Sequence, residues 1–210
     1  MRTRVKICGI TNIEDAKAAI SLGVDALGFI FAKSPRKIEP ERAKEIILNL
    51  PPIISIVGVF VDEKEETVKK IASHCGLNTL QFHGSETPEY CNLFDQKVIK
   101  AFRIKDEMSL KEIPRYQKWA NAFLLDTYKK GIRGGTGKTF DWKLAVKSKV
   151  FGPIILSGGL RPNNVKEAIL QVRPYGIDVG SGIESLPGKK DHRLLEDMIK
   201  QVREADYVAR

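Results

Sequence analysis

Three histidines, three cysteines and the lack of any long apolar run deprive several protein classes of their raw material. The histidines are His74, His83 and His192, and only His83 falls at the end of a strand-like run. A metal-dependent epimerase needs several inward-facing His and Asp ligands, and no such set is visible, so no metal is expected. The cysteines, Cys8, Cys75 and Cys91, are odd in number and far apart. That argues against a disulfide framework or a zinc site and fits a reducing, cytoplasmic setting. The longest apolar run, Ile53 to Val61, is broken by Ser55 and Gly58 and is far too short to span a bilayer, so no membrane partner is expected. Met1-Arg2-Thr3-Arg4 leads into a short stretch containing Lys6, and no signal peptide is visible. The first strand-like run ends in Cys8-Gly9-Ile10-Thr11, which is not a dinucleotide-binding fingerprint. Gly134-Gly135-Thr136-Gly137-Lys138-Thr139 resembles a P-loop but has Ile132 where the first glycine belongs. A mobile, glycine-hinged lid over Lys129 to Thr139 fits that stretch better.

What is present is a well-solvated chain of 210 residues, 42% hydrophobic and 29% charged, with a net charge of +9. The basic balance favours an anionic partner: a phosphorylated molecule, a nucleic acid or an acidic membrane surface. Lysines and glutamates alternate, as in Glu63-Lys64-Glu65-Glu66, so the charge describes a mixed surface and not a nucleic-acid-binding stripe.

Short β-branched or aromatic runs begin near Val5, Ala26, Ile54, Thr79, Val98, Ala122, Ile154 and Ile177, between 19 and 32 residues apart. Each interval has room for a crossover helix. Runs such as Ala26-Leu27-Gly28-Phe29-Ile30-Phe31 are apolar throughout, the texture of a parallel sheet buried on both faces. The intervening segments carry helical core faces: Ala43, Ile46, Ile47 and Leu50; Val68, Ile71, Ala72 and Cys75; Val165, Ala168, Ile169 and Val172. Thr11 with Glu14, and Asp62 with Glu65, read as capping boxes. Pro40, Pro88 and Pro162 suit first helical positions, and Gly23 and Gly76 suit C-terminal caps. The fifth unit is the weakest, because Pro114 interrupts any long helix between Ser109 and Trp119. Eight such units predict a single-domain (β/α)₈ TIM barrel over residues 1–210, with an open doubly wound sheet as the alternative.

In a barrel the reactive groups lie at the C-terminal ends of the strands. Those ends supply Cys8, His83, Arg103, Asp126, Ser157-Gly158-Gly159 and Asp178-Val179-Gly180-Ser181-Gly182. The two glycine-rich turns follow strands seven and eight, the usual phosphate corner, where backbone N–H groups can approach phosphate oxygens closely. Cys75 and Cys91 fall on or near helix core faces and read as buried hydrophobes. Cys8 reads from position as either buried or reactive. Lys6, two residues earlier on the same strand, points inward as well, and its ammonium can favour the thiolate.

These strings resemble one family. Lys6-Ile7-Cys8-Gly9-Ile10-Thr11 is similar to the opening motif of the phosphoribosylanthranilate isomerases of tryptophan biosynthesis. The likeness continues through Ser34-Pro35-Arg36, Leu80-Gln81-Phe82-His83-Gly84, Leu124-Leu125-Asp126, Gly135 to Trp142, Leu156 to Leu160 and Pro187-Gly188-Lys189-Lys190-Asp191. The resemblance implies an isomerase that converts N-(5-phosphoribosyl)anthranilate to 1-(2-carboxyphenylamino)-1-deoxyribulose 5-phosphate. It implies Asp126 as general acid, Cys8 as general base, and Arg36 as the holder of the anthranilate carboxylate; residues alone make Arg36 a solvated loop cation. His83 and Asp178 are the further expected substrate contacts, with Gly158, Gly159, Gly180, Ser181 and Gly182 on the phosphate. No cofactor is implied, since the chemistry is proton transfer. The expected partner is the small phosphorylated substrate, with the chain a monomer or homodimer. Two other readings stay open: a histidine-pathway isomerase barrel, which uses paired aspartates, and a basic nucleic-acid-binding protein.

Overall fold

A computed structural model describes residues 2–127 and 139–209. Eight strands form a closed, wholly parallel barrel. They are β1 (Arg4–Cys8), β2 (Ala26–Ile30), β3 (Ser55–Phe60), β4 (Thr79–Phe82), β5 (Lys97–Ile104), β6 (Ala122–Thr127), β7 (Ile154–Leu156) and β8 (Gly176–Val179). Every predicted strand start lies within one residue of an observed one. The register Lys6↔Asp178 between β1 and β8 closes the ring.

The period of two along each strand sorts side chains into an inner and an outer set. The outer set meets the helices α1 (Ile13–Ser21), α2 (Pro40–Ile47), α3 (Glu65–Cys75), α4 (Pro88–Cys91), α5 (Trp142–Ser148), α6 (Pro162–Val172) and α7 (His192–Val208) in one continuous core. The inner set forms a smaller apolar plug of Val57, Ile99, Ala101, Ala122, Leu124 and Ile155. The plug fills the barrel below its mouth, so the polar groups above it rest on a solid floor.

The proline and glycine punctuation acts as predicted: Pro40, Pro88 and Pro162 open their helices, Gly76 caps α3 at φ 66°, and Gly23 follows the C-cap of α1 at φ 80°. The two capping boxes do not form. Asn12, not Thr11, caps α1, its side chain accepting from the Asp15 N–H at 2.8 Å, while the Thr11 hydroxyl donates to the Gly188 carbonyl. Asp62 stands outside α3, whose N-cap is Lys64, and accepts from the Ser85 N–H across the loops. In each case a tertiary partner outcompeted the local cap.

The fourth and fifth crossovers are reduced. The fourth is the four-residue α4; the fifth is two 3₁₀ turns, Glu107–Leu110 and Ile113–Tyr116, with no long helix around Pro114, as its sequence foretells. Aromatic rings fill the space instead, with Phe82 against Tyr90 at 5.3 Å and Phe94 at 5.1 Å. Beneath them a buried ion pair joins Lys100 to Glu86 at 2.9 Å. After β8 a 3₁₀ turn, Ser181–Ile183, leads into a small antiparallel hairpin of β9 (Glu184–Leu186) and β10 (Lys189–Lys190). No helix among the described residues is long and apolar enough to cross a membrane.

Candidate active site

At the C-terminal end of the barrel lies a cavity of about 360 Å³. Cys8, Arg36, His83, Asp126, Ser157 and Asp178 all line it, together with Gly158, Gly159, Gly180, Ser181 and Gly182. Each arrives by a different element: Cys8 ends β1, Asp126 lies near the end of β6, and Asp178 lies on β8. His83 follows β4, Arg36 stands in the loop after β2, and the two glycine turns follow β7 and β8. The structure thus brings together every residue singled out for the site. Arg103, the other strand-end candidate, does not line the cavity; its Nη2 donates to the His83 carbonyl at 3.2 Å and so supports the neighbouring loop.

Inside the barrel, Lys6 donates to Asp178 at 2.7 Å, both side chains being almost fully buried. Gly28 on the adjacent strand makes room for this pair. A Cβ there would lie 3.0 Å from both Lys6 Nζ and Cys8 Sγ. Burial works against the charge of Lys6, but Asp178 and Cys8 outweigh it and hold the ammonium pKa up. Cys8 departs from the sequence reading. Burial pushes its thiol up, Lys6 pulls the other way, and Asp178 adds to the upward push. The predicted thiolate-favouring lysine is present, but it is shared with Asp178 and does not overcome desolvation.

Opposite, the Asp126 carboxylate accepts from the Thr127 N–H at 2.8 Å and has His83 Nε2 at 3.4 Å. The approach is close, yet poorly aligned, and His83 Nε2 makes no hydrogen bond among the described residues. His83 Nδ1 is 3.3 Å from Gln81 Nε2. Gly158, at φ 81°, lets the β7 turn pass close to Asp126; a Cβ there would meet Asp126 Oδ1 at 2.8 Å. The N–H groups of Gly158 and Gly159 donate to no acceptor among the described residues, and both glycines, which line the cavity, have left-handed backbones.

Arg36 is not a solvated loop cation. Its Nε donates to Glu184 Oε1 at 2.8 Å and its Nη2 to Glu184 Oε2 at 2.6 Å, a bidentate pair on the rim of the cavity. Glu184 in turn accepts from Lys190 Nζ at 2.9 Å. Glu184, Lys190 and the cavity-lining Gln81 were missed as site residues. Gln81 and Lys190 stand inside strings that carry the family resemblance; nothing around Glu184 marks it in the sequence. Cys75 and Cys91 are buried as predicted, and burial raises both thiols, Cys91 to about 11. The glycine-hinged lid falls almost wholly outside the described residues.

Together these features define a class: a (β/α)₈ barrel whose C-terminal cavity is lined by a thiol, two carboxylates, an arginine and two glycine-rich turns. Comparison with known proteins narrows the class. The family described as N-(5'-phosphoribosyl)anthranilate (PRA) isomerase matches residues 5–201. An N-(5'-phosphoribosyl)anthranilate isomerase of Desulforudis audaxviator is 52% identical over 206 residues, covering 97% of this chain and 99% of its own. Among solved structures, a monomer generated from the dimeric phosphoribosylanthranilate isomerase of Thermotoga maritima is 41% identical with a TM-score of 0.87, covering 96% of this chain and 99% of its own. A phosphoribosylanthranilate isomerase in complex with reduced 1-(o-carboxyphenylamino)-1-deoxyribulose 5-phosphate has 42% identity and a TM-score of 0.87, with the same coverage. The chain belongs to the N-(5'-phosphoribosyl)anthranilate isomerase family.

Proposed function

We propose that this chain catalyses the Amadori rearrangement of N-(5-phosphoribosyl)anthranilate to 1-(2-carboxyphenylamino)-1-deoxyribulose 5-phosphate, a step of tryptophan biosynthesis. One observation carries the assignment of roles: Cys8 and Asp126 line the same cavity from separate strand ends, together with Arg36 and the two glycine turns.

Asp126 donates a proton to the furanose ring oxygen. The C1–O bond breaks and the anilino nitrogen lone pair forms a protonated Schiff base. Cys8, as thiolate, removes the proton from C2, and the electron pair moves to give an enolamine. Tautomerisation places the carbonyl at C2 and returns both groups to their starting states. Each step is a proton transfer, and hydrogen is only redistributed within the substrate. The Gly158-Gly159 and Gly180-Ser181-Gly182 turns take the phosphate, and Arg36 takes the anthranilate carboxylate. His83 and Asp178 contact the sugar between these anchors.

The 210 residues act as one catalytic domain. A cytoplasmic setting accords with three unpaired cysteines. A homodimer is supported by the dimeric relative from Thermotoga maritima, and sedimentation velocity separates it from a monomer. For the activity, the substrate is generated freshly from anthranilate and phosphoribosyl pyrophosphate, and anthranilate fluorescence is followed. Decay that depends on the protein supports the reading. No decay, together with turnover of a histidine-pathway aminoaldose, overturns it.

A further inference from the structure

Arg36 reaches the cavity through a chain of buried charges that the reaction itself does not use. Glu184 occupies two donors of the guanidinium, at 2.8 and 2.6 Å, and leaves Nη1 without a partner among the described residues. The Glu184 side chain is 4% exposed, and that of Lys190 is completely buried. Lys190 Nζ donates to Glu184 at 2.9 Å, to the Cys8 carbonyl at 2.6 Å and to the Gly180 carbonyl at 3.3 Å. The Lys190 N–H is fixed in turn by Asp15 at 2.7 Å. One ammonium therefore joins the last residue of β1, the turn after β8 and the carboxylate that grips Arg36.

We propose that Glu184 and Lys190 are positioning residues that make Arg36 selective for an aromatic carboxylate. Two physical effects work together. An arginine on a loop has many rotamers, and a bidentate carboxylate removes most of that freedom before the ligand arrives. A glutamate alone would also neutralise the arginine and repel an incoming carboxylate. Lys190 offsets the charge of Glu184, so the triad of two cations and one anion keeps a net positive charge beside the cavity. Buried charges of this kind are costly unless every one is paired, and here each is. The inference rests on the reading of Arg36 given above.

The competing view is that the triad merely pins the β9–β10 hairpin. Two ligands distinguish the views: the reduced product analogue, and its counterpart with phenyl in place of 2-carboxyphenyl. Dissociation constants are measured by calorimetry. The wild-type chain is expected to prefer the carboxylate ligand by roughly 10–100-fold, the range for hydrogen bonds to charged groups. Equal affinities there would overturn the reading of Arg36, and the proposal with it. Glu184→Gln keeps the shape and loses the charge. It should weaken the carboxylate ligand by about tenfold or more and leave the phenyl ligand within about twofold. Glu184→Asp should recover part of the loss. Lys190→Met should likewise erase the preference for the carboxylate, and should weaken the phenyl ligand too, because the Gly180 turn loses its tie. If Lys190→Met does not fold, Glu184→Gln decides alone. Equal weakening of both ligands by Glu184→Gln, or no weakening of either, would refute selective positioning.

Discussion

The two sides of the barrel mouth are built differently. On the side of β8, β1 and β2 the charges are paired at short range: Lys6 with Asp178 at 2.7 Å, Arg36 with Glu184 at 2.6 Å, Lys190 with Glu184 at 2.9 Å. On the side of β4, β5 and β6, Gln81 Oε1, His83 Nε2, Arg103 Nε and Thr127 Oγ1 are buried without a hydrogen-bond partner among the described residues. Unmade hydrogen bonds in a low-dielectric site are costly, which makes them available to a ligand that can complete them. Under the proposed function, the paired side holds the anthranilate carboxylate at Arg36, and the unpaired side, around Asp126, is where a sugar with several hydroxyl groups has most to gain.

The sharpest way to break this division is to remove the two reacting groups. Asp126→Asn and Cys8→Ser should each lower kcat by about 10²–10⁴-fold or more, with binding of the reduced product analogue little changed. Steady-state kinetics and calorimetry on the same preparations check both halves. Near-wild-type kcat in Cys8→Ser would transfer the base to Asp178, whose carboxylate already sits beside Lys6. A fall in affinity as large as the fall in kcat would mean that the unpaired side binds as much as it reacts.

A second comparison sets the mouth against the outer face of the same barrel. Lys100 is as buried as Lys6 but points outward, where it donates to Glu86 and to the Gly84 carbonyl, both at 2.9 Å. It takes no part in the cavity, so its loss should be felt in folding. Removing one partner of a buried pair costs about 3–5 kcal/mol. Lys100→Ala should show that loss in urea denaturation, with kcat near wild type in the fraction that stays folded. A stability loss under about 1 kcal/mol would show that the aromatic packing, not the pair, replaces the missing helices there.

Arg36→Ala should have the next largest effect, on binding. One charged bidentate contact is worth on the order of 1.5–3 kcal/mol. KM for phosphoribosylanthranilate should rise accordingly, while inhibition by inorganic phosphate, which the proposed function assigns to the glycine turns and not to Arg36, stays as it was. Unchanged KM and kcat together would remove Arg36 from the site.

How much of this was legible in the sequence follows from how local each signal is. Strand starts are set by apolar runs and turn residues over a few positions, and all eight were readable. Cys8, Asp126 and the glycine turns were readable because a barrel puts strand ends at one mouth. The caps at Thr11 and Asp62 misled because their side chains found partners from distant loops, Gly188 and Ser85. The role of Glu184 was invisible for the same reason: its partner Arg36 lies 148 positions away. Lys100 reads as an ordinary interruption of an apolar strand until Glu86 is seen against it. Burial and partnership are long-range properties, and a single chain of letters records them only where a familiar motif has preserved them.

The smallest effect concerns the Cys8 thiol, and it tests the paired side directly. In the ligand-free chain, burial pushes this thiol up, Lys6 opposes that push, and Asp178 adds to it. A thiol raised above its ordinary value of about 8.5 is mostly protonated at neutral pH. Alkylation by iodoacetamide requires the thiolate, so the rate of inactivation should climb with pH and reach half its plateau above about 8.5. The sign for stability follows from the same shift. The folded chain holds the proton more tightly than the unfolded one, so this group's contribution is fully present below the unfolded value. It is lost as pH rises through the folded one. Lys6→Met removes the one group beside Cys8 that favours its thiolate most, and frees Asp178 from its partner. Both changes act upward, so the alkylation midpoint of Lys6→Met should lie higher than that of the wild type. A midpoint that falls, or a wild-type midpoint well under about 8.5, would mean that the Lys6–Asp178 pair gives Cys8 more positive field than its sharing implies. In that case the thiolate is prepared before substrate arrives, and the paired side does more than hold the anthranilate carboxylate.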